Sequence, residues 1–465
     1  MQPKTRFLFI LRTCATATLF FIIISTQVAS AQQSDRQSDL QRILERLDRI
    51  EQENQNLAAE VRELRQQLAA RDMPPPSPDG QPAPIPPSEV GSLQEQRINE
   101  LAQTKVEASQ KFPVKLSGMV LFNAYLNGQD NGGAQSPLMA VGTDPGTGNP
   151  GGGSFNQSLI NLSFNGPRIW GGGKVNGSLN MDLFGGSTSS LNHLLRLRTA
   201  GVTIDWKNQS FMVGQDKPIV SPREPTSLAQ IAYTPLSGAG NPWLWQPQAR
   251  FEQRFAFGES TGLRAQVGVY QTSEPIGNGG KTYQNFVGTA RPSLQGRFEL
   301  WRNLGHGARI EIAPGFHTSQ THVAGFSIPS RLFTIDWLIQ PAAKLKWTGL
   351  FFTGENNGGM GGLQQGFISR NKTFIGIPTT GGWTQLSYEA SGRLTFNLYG
   401  GQESYQPGTL LRYMVNRNLL YAGNAIYRLG PNVLLGAEVS QARTKYYQFP
   451  SVLVNHFDLA LAYLF

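Results

Sequence analysis

Arginine stands at alternate positions in several stretches of this sequence, with apolar residues between. Arg196 and Arg198 enclose Leu197, Arg250 and Glu252 enclose Phe251, and Arg254 precedes Phe255. Arg264 lies between Leu263 and Ala265, while Arg297, Arg309 and Arg393 precede Phe298, Ile310 and Leu394. Lys344 and Lys346 enclose Leu345. A period of two describes a strand with unlike faces, one charged and one apolar. Guanidinium groups lining one face act electrostatically, drawing anions and replacing part of their hydration shell. From residue 112 onward 27 Lys and Arg face 17 Asp and Glu, whereas the earlier residues nearly balance at 13 against 14. The positive charge therefore belongs to the second part of the chain. A competing role for these arginines is bracing, in pairs with Asp182, Glu252, Glu299 and Glu311.

Motifs for bond-making chemistry are present only as fragments. Gly258-Glu-Ser260-Thr-Gly262 matches a hydrolase elbow. It lies between two strand patterns rather than between a strand and a helix, so it reads as a hairpin turn. Gly146, Gly148 and Gly151 have dinucleotide-loop spacing without the surrounding strand-to-helix unit. Gly279-Gly280-Lys281-Thr282 ends like a phosphate loop, but Pro275 occupies the position of its first glycine. His193, His306, His317, His322 and His456 show no metal-ligand spacing with one another or with a carboxylate. The sequence therefore predicts no enzyme, cofactor, metal site or nucleic-acid partner. Residues converging from distant strands could still make an outer-membrane enzyme.

The elements that would carry the arginines are strands. Alternation recurs from Phe112 to Phe465 in about sixteen segments, among them Leu116-Val120-Phe122, Ile160-Leu162-Phe164 and Leu394-Phe396-Leu398. Long connections, such as Asn127–Gly153, Lys217–Pro247, Thr272–Gly288, Gly354–Gly382 and Gln402–Thr409, alternate with tight ones at 207–209, 258–262, 303–305 and 430–432. Long outer loops and short periplasmic turns predict a transmembrane β-barrel over 112–465. A barrel needs only every other residue to face lipid, which suits a hydrophobic content of 39%. Trp170, Trp206, Trp301, Trp337, Trp347 and Trp383 lie near segment ends, as interface girdles require. Arginine facing lipid at mid-membrane would cost about 2–4 kcal/mol, which sets the strand phase: apolar residues outward, arginines in the lumen. Arg198, Arg250, Arg254, Arg264, Arg297 and Arg309 are the candidate pore-lining residues. The loop 217–247 carries six prolines with Trp243 and Trp245, too apolar to stand in water, and is expected to fold into the barrel and narrow it. Arg223 would then join the passage beside Lys217 and Glu224.

Three segments precede the barrel. Residues 1–31 read as a signal peptide, with Lys4, Arg6 and Arg12, an apolar run and the Ala29-Ser30-Ala31 cleavage site. The sole cysteine, Cys14, lies within it. Residues 35–71 form a heptad pattern, with Leu40, Leu47, Asn54, Val61 and Leu68 at a and Ile43, Ile50, Leu57 and Leu64 at d. Leu at a with Ile at d favours three or four strands over two, and Asn54 would fix register. Residues 72–111 hold a proline-rich spacer and a polar, weakly helical connector.

The last strand, with Phe457, Leu459, Leu461, Tyr463 and Phe465 alternating, resembles the closing strand of Gram-negative outer-membrane barrels, where Tyr463 and Phe465 would act as the assembly signal. The whole arrangement resembles the trimeric outer-membrane porins with an N-terminal coiled coil, the DcaP-like group, with the phosphate-selective porins second. The resemblance implies a homotrimer in outer-membrane lipid, with the coiled coil in the periplasm. It further implies passive uptake of small anionic solutes such as dicarboxylates. The coil would tether the barrels or meet peptidoglycan or a periplasmic protein. A plugged barrel serving only to anchor the coil is the remaining alternative.

Overall fold

The computed structural model describes residues 114–142, 148–185, 193–271, 292–323, 325–363 and 365–465. The signal segment 1–31, the coiled coil over 35–71 and the connector 72–111 lie outside the described residues.

The strands in chain order are β1 (Val114–Asn127), β2 (Gly151–Ser154), β3 (Leu159–Arg168), β4 (Lys174–Gly185), β5 (Leu194–Asp205) and β6 (Gln209–Asp216). β7 (Gln246–Ala256), β8 (Thr261–Tyr270), β9 (Ser293–Gly305), β10 (Ala308–Val323), β11 (Phe326–Ala342) and β12 (Leu345–Glu355) follow. The series ends with β13 (Phe367–Arg370), β14 (Thr373–Gly376), β15 (Pro378–Ser391), β16 (Leu394–Tyr405), β17 (Val415–Arg428), β18 (Val433–Tyr446) and β19 (Ser451–Leu464). Sixteen of these, all but β2, β13 and β14, pair antiparallel with their chain neighbours, and β1 meets β19 to close the ring. Closure leaves no unpaired edge, as a lipid-embedded sheet requires. β2 extends the pairing along β1 beyond β3, and β13–β14 is a separate hairpin.

Phase is clearest on β19. Leu459 is 64% exposed and its neighbour Asp458 only 4%. Phe457, Leu461 and Tyr463 share the outer face; His456, Ala460 and Ala462 share the inner. At the seam the Gly118 amide donates to the Phe465 carbonyl at 2.9 Å. The Phe465 ring covers Gly118, where a Cβ would stand 2.5 Å from ring Cζ. That contact requires glycine.

Two expectations are corrected. Loop length does not alternate throughout: at the loop end β10 stops at Val323 and β11 starts at Phe326. Long strands of 16 and 17 residues carry this hairpin outward, and its end buries Val323 and Ile328 against Phe367 of β13. The tryptophans also divide. Trp337 and Trp347 form an edge-on outer pair 5.8 Å apart, but Trp383 points inward at 3% exposure. Phe257 to Ser260 join β7 to β8, with Gly258 at φ +82°, so the hydrolase-like motif is a hairpin.

Candidate functional site

Inward positions on the strand wall carry the arginines, and one loop fills much of the space between them. Residues 217–245 leave β6 and return to β7, and nearly all of this segment from 218 to 242 is buried or half-buried. The loop first meets the β8–β11 wall, where the Ile219 amide donates to the Tyr270 hydroxyl at 3.3 Å. Arg223 then reaches carboxylates on three strands, Glu299, Glu311 and Asp336. The chain next crosses to the opposite wall. The Thr226 amide donates to Gln385 of β15 at 2.6 Å, and Asn424 of β17 donates to the Thr226 carbonyl at 2.8 Å. Ser227 donates to Glu438 of β18 at 2.6 Å, and Asn123 of β1 donates to the Leu228 carbonyl at 2.9 Å.

The loop returns along the β4–β5 wall. Arg198 donates to the Ile231 carbonyl and Arg196 to the Ala232 carbonyl, both at 2.8 Å. Trp245 lies under both guanidinium groups, 4.7 Å from Arg198 and 5.3 Å from Arg196. Gly240, at φ +91°, lies against the backbone of Gly382 and Gln402, where no side chain fits. The six prolines of 217–247 lower the entropy lost on ordering this path.

All seven candidate arginines occupy lumen positions or the loop inside the lumen, and each meets a carboxylate. Arg198 pairs with Asp182 at 3.4 Å, Arg250 with Asp216 at 2.9 Å and Arg254 with Glu252 at 2.9 Å. Arg309 pairs with Glu311 at 2.5 Å, and Arg264 with Glu299. Arg297 holds Glu299 and Asp336, each at 2.7 Å. It spans two strands because the intervening lumen positions on β10 are Ala313 and Gly315, too small to obstruct it.

The lumen is therefore less one-sided than the chain's overall charge. Arg196, Arg198, Lys217, Arg223, Arg250, Arg254, Arg264, Arg297 and Arg309 stand among Asp182, Asp205, Asp216, Glu224, Glu252, Glu299, Glu311 and Asp336. Sequence reading missed Asp205, Asp216 and Asp336 as partners. Asp336, for example, lies 39 residues from Arg297, a separation that no local spacing reveals.

Pairing does not make the arginines equivalent. The Arg297 side chain is fully buried, while that of Arg254 is 43% exposed and those of Arg264 and Arg309 are about a third exposed. A guanidinium has five donors, so an exposed one retains donors for a passing anion beside its carboxylate partners, which are Glu252 and Asp205 for Arg254, Glu299 and Glu252 for Arg264, and Glu311 for Arg309. On the opposite wall Glu438, Asp458, Asn418 and Asn424 are buried. Solvent thus reaches Arg254, Arg264 and Arg309 on β7–β10, while Arg297 beside them and these polar groups of β17–β19 are kept from it. A cavity of about 250 Å³ adjoins the loop, lined by Gln135, Gln157, Phe184, Gln230 and Tyr233 among others. The side-chain amide of Gln230, a residue 1% exposed, has no protein partner. Among the described residues no group of three His, Cys, Asp or Glu is placed to hold a metal ion.

No family model matches the chain, and no curated protein matches it. Solved structures do. The outer membrane channel DcaP of Acinetobacter baumannii superposes with a TM-score of 0.61 at 17% identity, covering 76% of this chain and 97% of that one. An anion-selective porin from Comamonas acidovorans gives 0.50 at 13% identity, covering 76% of this chain and 100% of the other. The chain has the DcaP-like barrel fold.

Proposed function

We propose that this DcaP-like barrel is an outer-membrane porin, a passive channel for small hydrophilic solutes with a modest preference for anions. The carrying observation is the position of the inturned loop. It crosses the lumen from the β8–β11 wall past β15–β18 to β5, yet leaves the guanidinium groups of Arg254, Arg264 and Arg309 a third or more exposed. A solute would pass these exposed donors in turn. Each would replace part of an anion's hydration while the partner carboxylate keeps binding too weak to arrest it.

Near-balance of charge in the lumen supports a mild preference rather than strict selection. Dicarboxylates fit this chemistry, because two carboxylates can engage neighbouring guanidinium groups bidentately. The heptads over 35–71 support assembly as a trimer, with the coil as a periplasmic tether.

Proteoliposome swelling tests the passive route. Vesicles carrying the protein should swell in isotonic small sugars and faster in a dicarboxylate salt of similar size. Absence of swelling in every solute would indicate a plugged barrel and favour an anchoring role.

A further inference from the structure

Three basic side chains stand together on the outer wall, near the end of the barrel from which the long loops leave. Arg417 of β17 and Lys445 of β18 are direct cross-strand partners, and Arg443 lies two residues before Lys445 on the same face. All three are exposed. Among the described residues no carboxylate pairs with them, and the outward ion pair at this rim is Arg331 with Glu355, on β11 and β12. Like charges directly opposite on adjacent strands repel one another, so this arrangement weakens the sheet unless an anion joins it. The corresponding outward positions on β15 and β16, Thr380, Gln402 and Ser404, are uncharged.

The surroundings indicate which anion. Below the cluster the outer face is apolar, with Leu419 and Leu453 opposite Arg443 and with Tyr421, Val439 and Phe457 exposed further down. Above it, in the connections after β16 and β18, Tyr413 and Phe449 stack 4.2 Å apart. The Arg412 guanidinium lies 5.1 Å and 5.2 Å from those two rings. Aromatic rings and basic groups above an apolar wall mark a headgroup boundary. Guanidinium forks match phosphate oxygens bidentately, whereas a carboxylate partner from the chain is missing here.

We propose that the β17–β18 rim binds the phosphate of a lipid headgroup in the surrounding leaflet, with Arg417, Arg443 and Lys445 as its ligands and the acyl chains against Leu419, Leu453 and Phe457. The site lies on the outside of the barrel and takes no part in the pore. It presupposes a membrane-embedded barrel, as the proposed function does.

The test uses full-length protein in detergent and native mass spectrometry with lipid A, in its bisphosphorylated and dephosphorylated forms. Wild type should retain the phosphorylated lipid at least roughly tenfold better than an Arg417→Gln, Arg443→Gln, Lys445→Gln variant. The variant carrying Arg417→Lys and Arg443→Lys should fall between the two, since it keeps the charge and loses the bidentate fork. Dephosphorylated lipid should not distinguish wild type from the glutamine variant. Heat-dependent gel mobility reports folding; if the triple variant does not fold, Arg443→Gln and Lys445→Gln singly should each weaken retention several-fold. Equal retention by a folded glutamine variant, or indifference of wild type to the phosphates, overturns the proposal. So does loss of the oligomer in the variant without loss of lipid, which would make the rim a contact between copies. Single-channel conductance of the variant should equal that of wild type, so failure of this site and failure of the pore are read separately.

Discussion

The Ser227 hydroxyl donates to the Glu438 carboxylate at 2.6 Å, joining the inturned loop to the wall opposite its root. Glu438 also accepts from Tyr399 at 2.8 Å and Asn424 at 2.9 Å, so the loop adds a third donor to a buried carboxylate that the wall already holds with two. A hydrogen bond to a charged group is worth roughly 1.5–3 kcal/mol. Ser227→Ala should therefore loosen the loop and raise open-channel current noise, with little change in barrel stability. Noise identical to wild type would show that the latch does not hold the loop.

Removing the obstruction should widen the passage. Deletion of residues 222–240 takes away the segment that meets β10, β11, β15, β17, β18 and β1, and single-channel conductance should rise. Unchanged conductance would place the narrowest point elsewhere.

The arginines should separate into structural and solute-facing groups. Arg297→Ala removes the buried partner of Glu299 and Asp336, leaving them only the part-exposed Arg223 and Arg264, and breaking a buried pair costs up to about 3–5 kcal/mol. Its heat-unfolding midpoint on gels should fall sharply. Arg254→Ala removes a solvated pair worth about 0–1 kcal/mol. It should leave that midpoint nearly unchanged while shifting ion selectivity toward cations. The reverse pattern would invert the assignment.

Strand phase can be tested without reference to transport. Leu459 faces outward, and Leu459→Arg should cost about 2–4 kcal/mol if it lies at mid-membrane. The variant should fold poorly into vesicles, whereas Leu459→Phe should fold normally. Normal folding of the arginine variant would mean that β19 does not face lipid.

Much of this was legible in the sequence because a period of two survives in every long strand. Leu459 and Asp458 can be assigned to faces by their spacing alone. Partnership was not legible. Arg297 and Asp336 meet across an intervening strand, and only the pairing of β9, β10 and β11 brings them together. The charge count likewise suggested a strongly positive lumen, yet Arg223 alone gathers carboxylates from three strands. Trp383 looked like a girdle residue because a large aromatic at a strand position serves lipid and a packed lumen equally well. The Pro-rich loop could be recognised as packed from its composition, but the wall it leans on could not.

Conduction through the barrel is expected to follow the partly exposed, paired arginines Arg254, Arg264 and Arg309. Single-channel currents of the purified protein in a planar bilayer under a dilute salt gradient test it most directly, since fixed charges act over a Debye length of about 10 Å at 0.1 M and about 3 Å at 1 M. Stepwise openings are expected, with a reversal potential of the sign of modest anion preference that fades toward zero as the salt on both sides is raised. Cation preference at low salt would contradict the role given to Arg254, Arg264 and Arg309, and silent bilayers would contradict the pore itself.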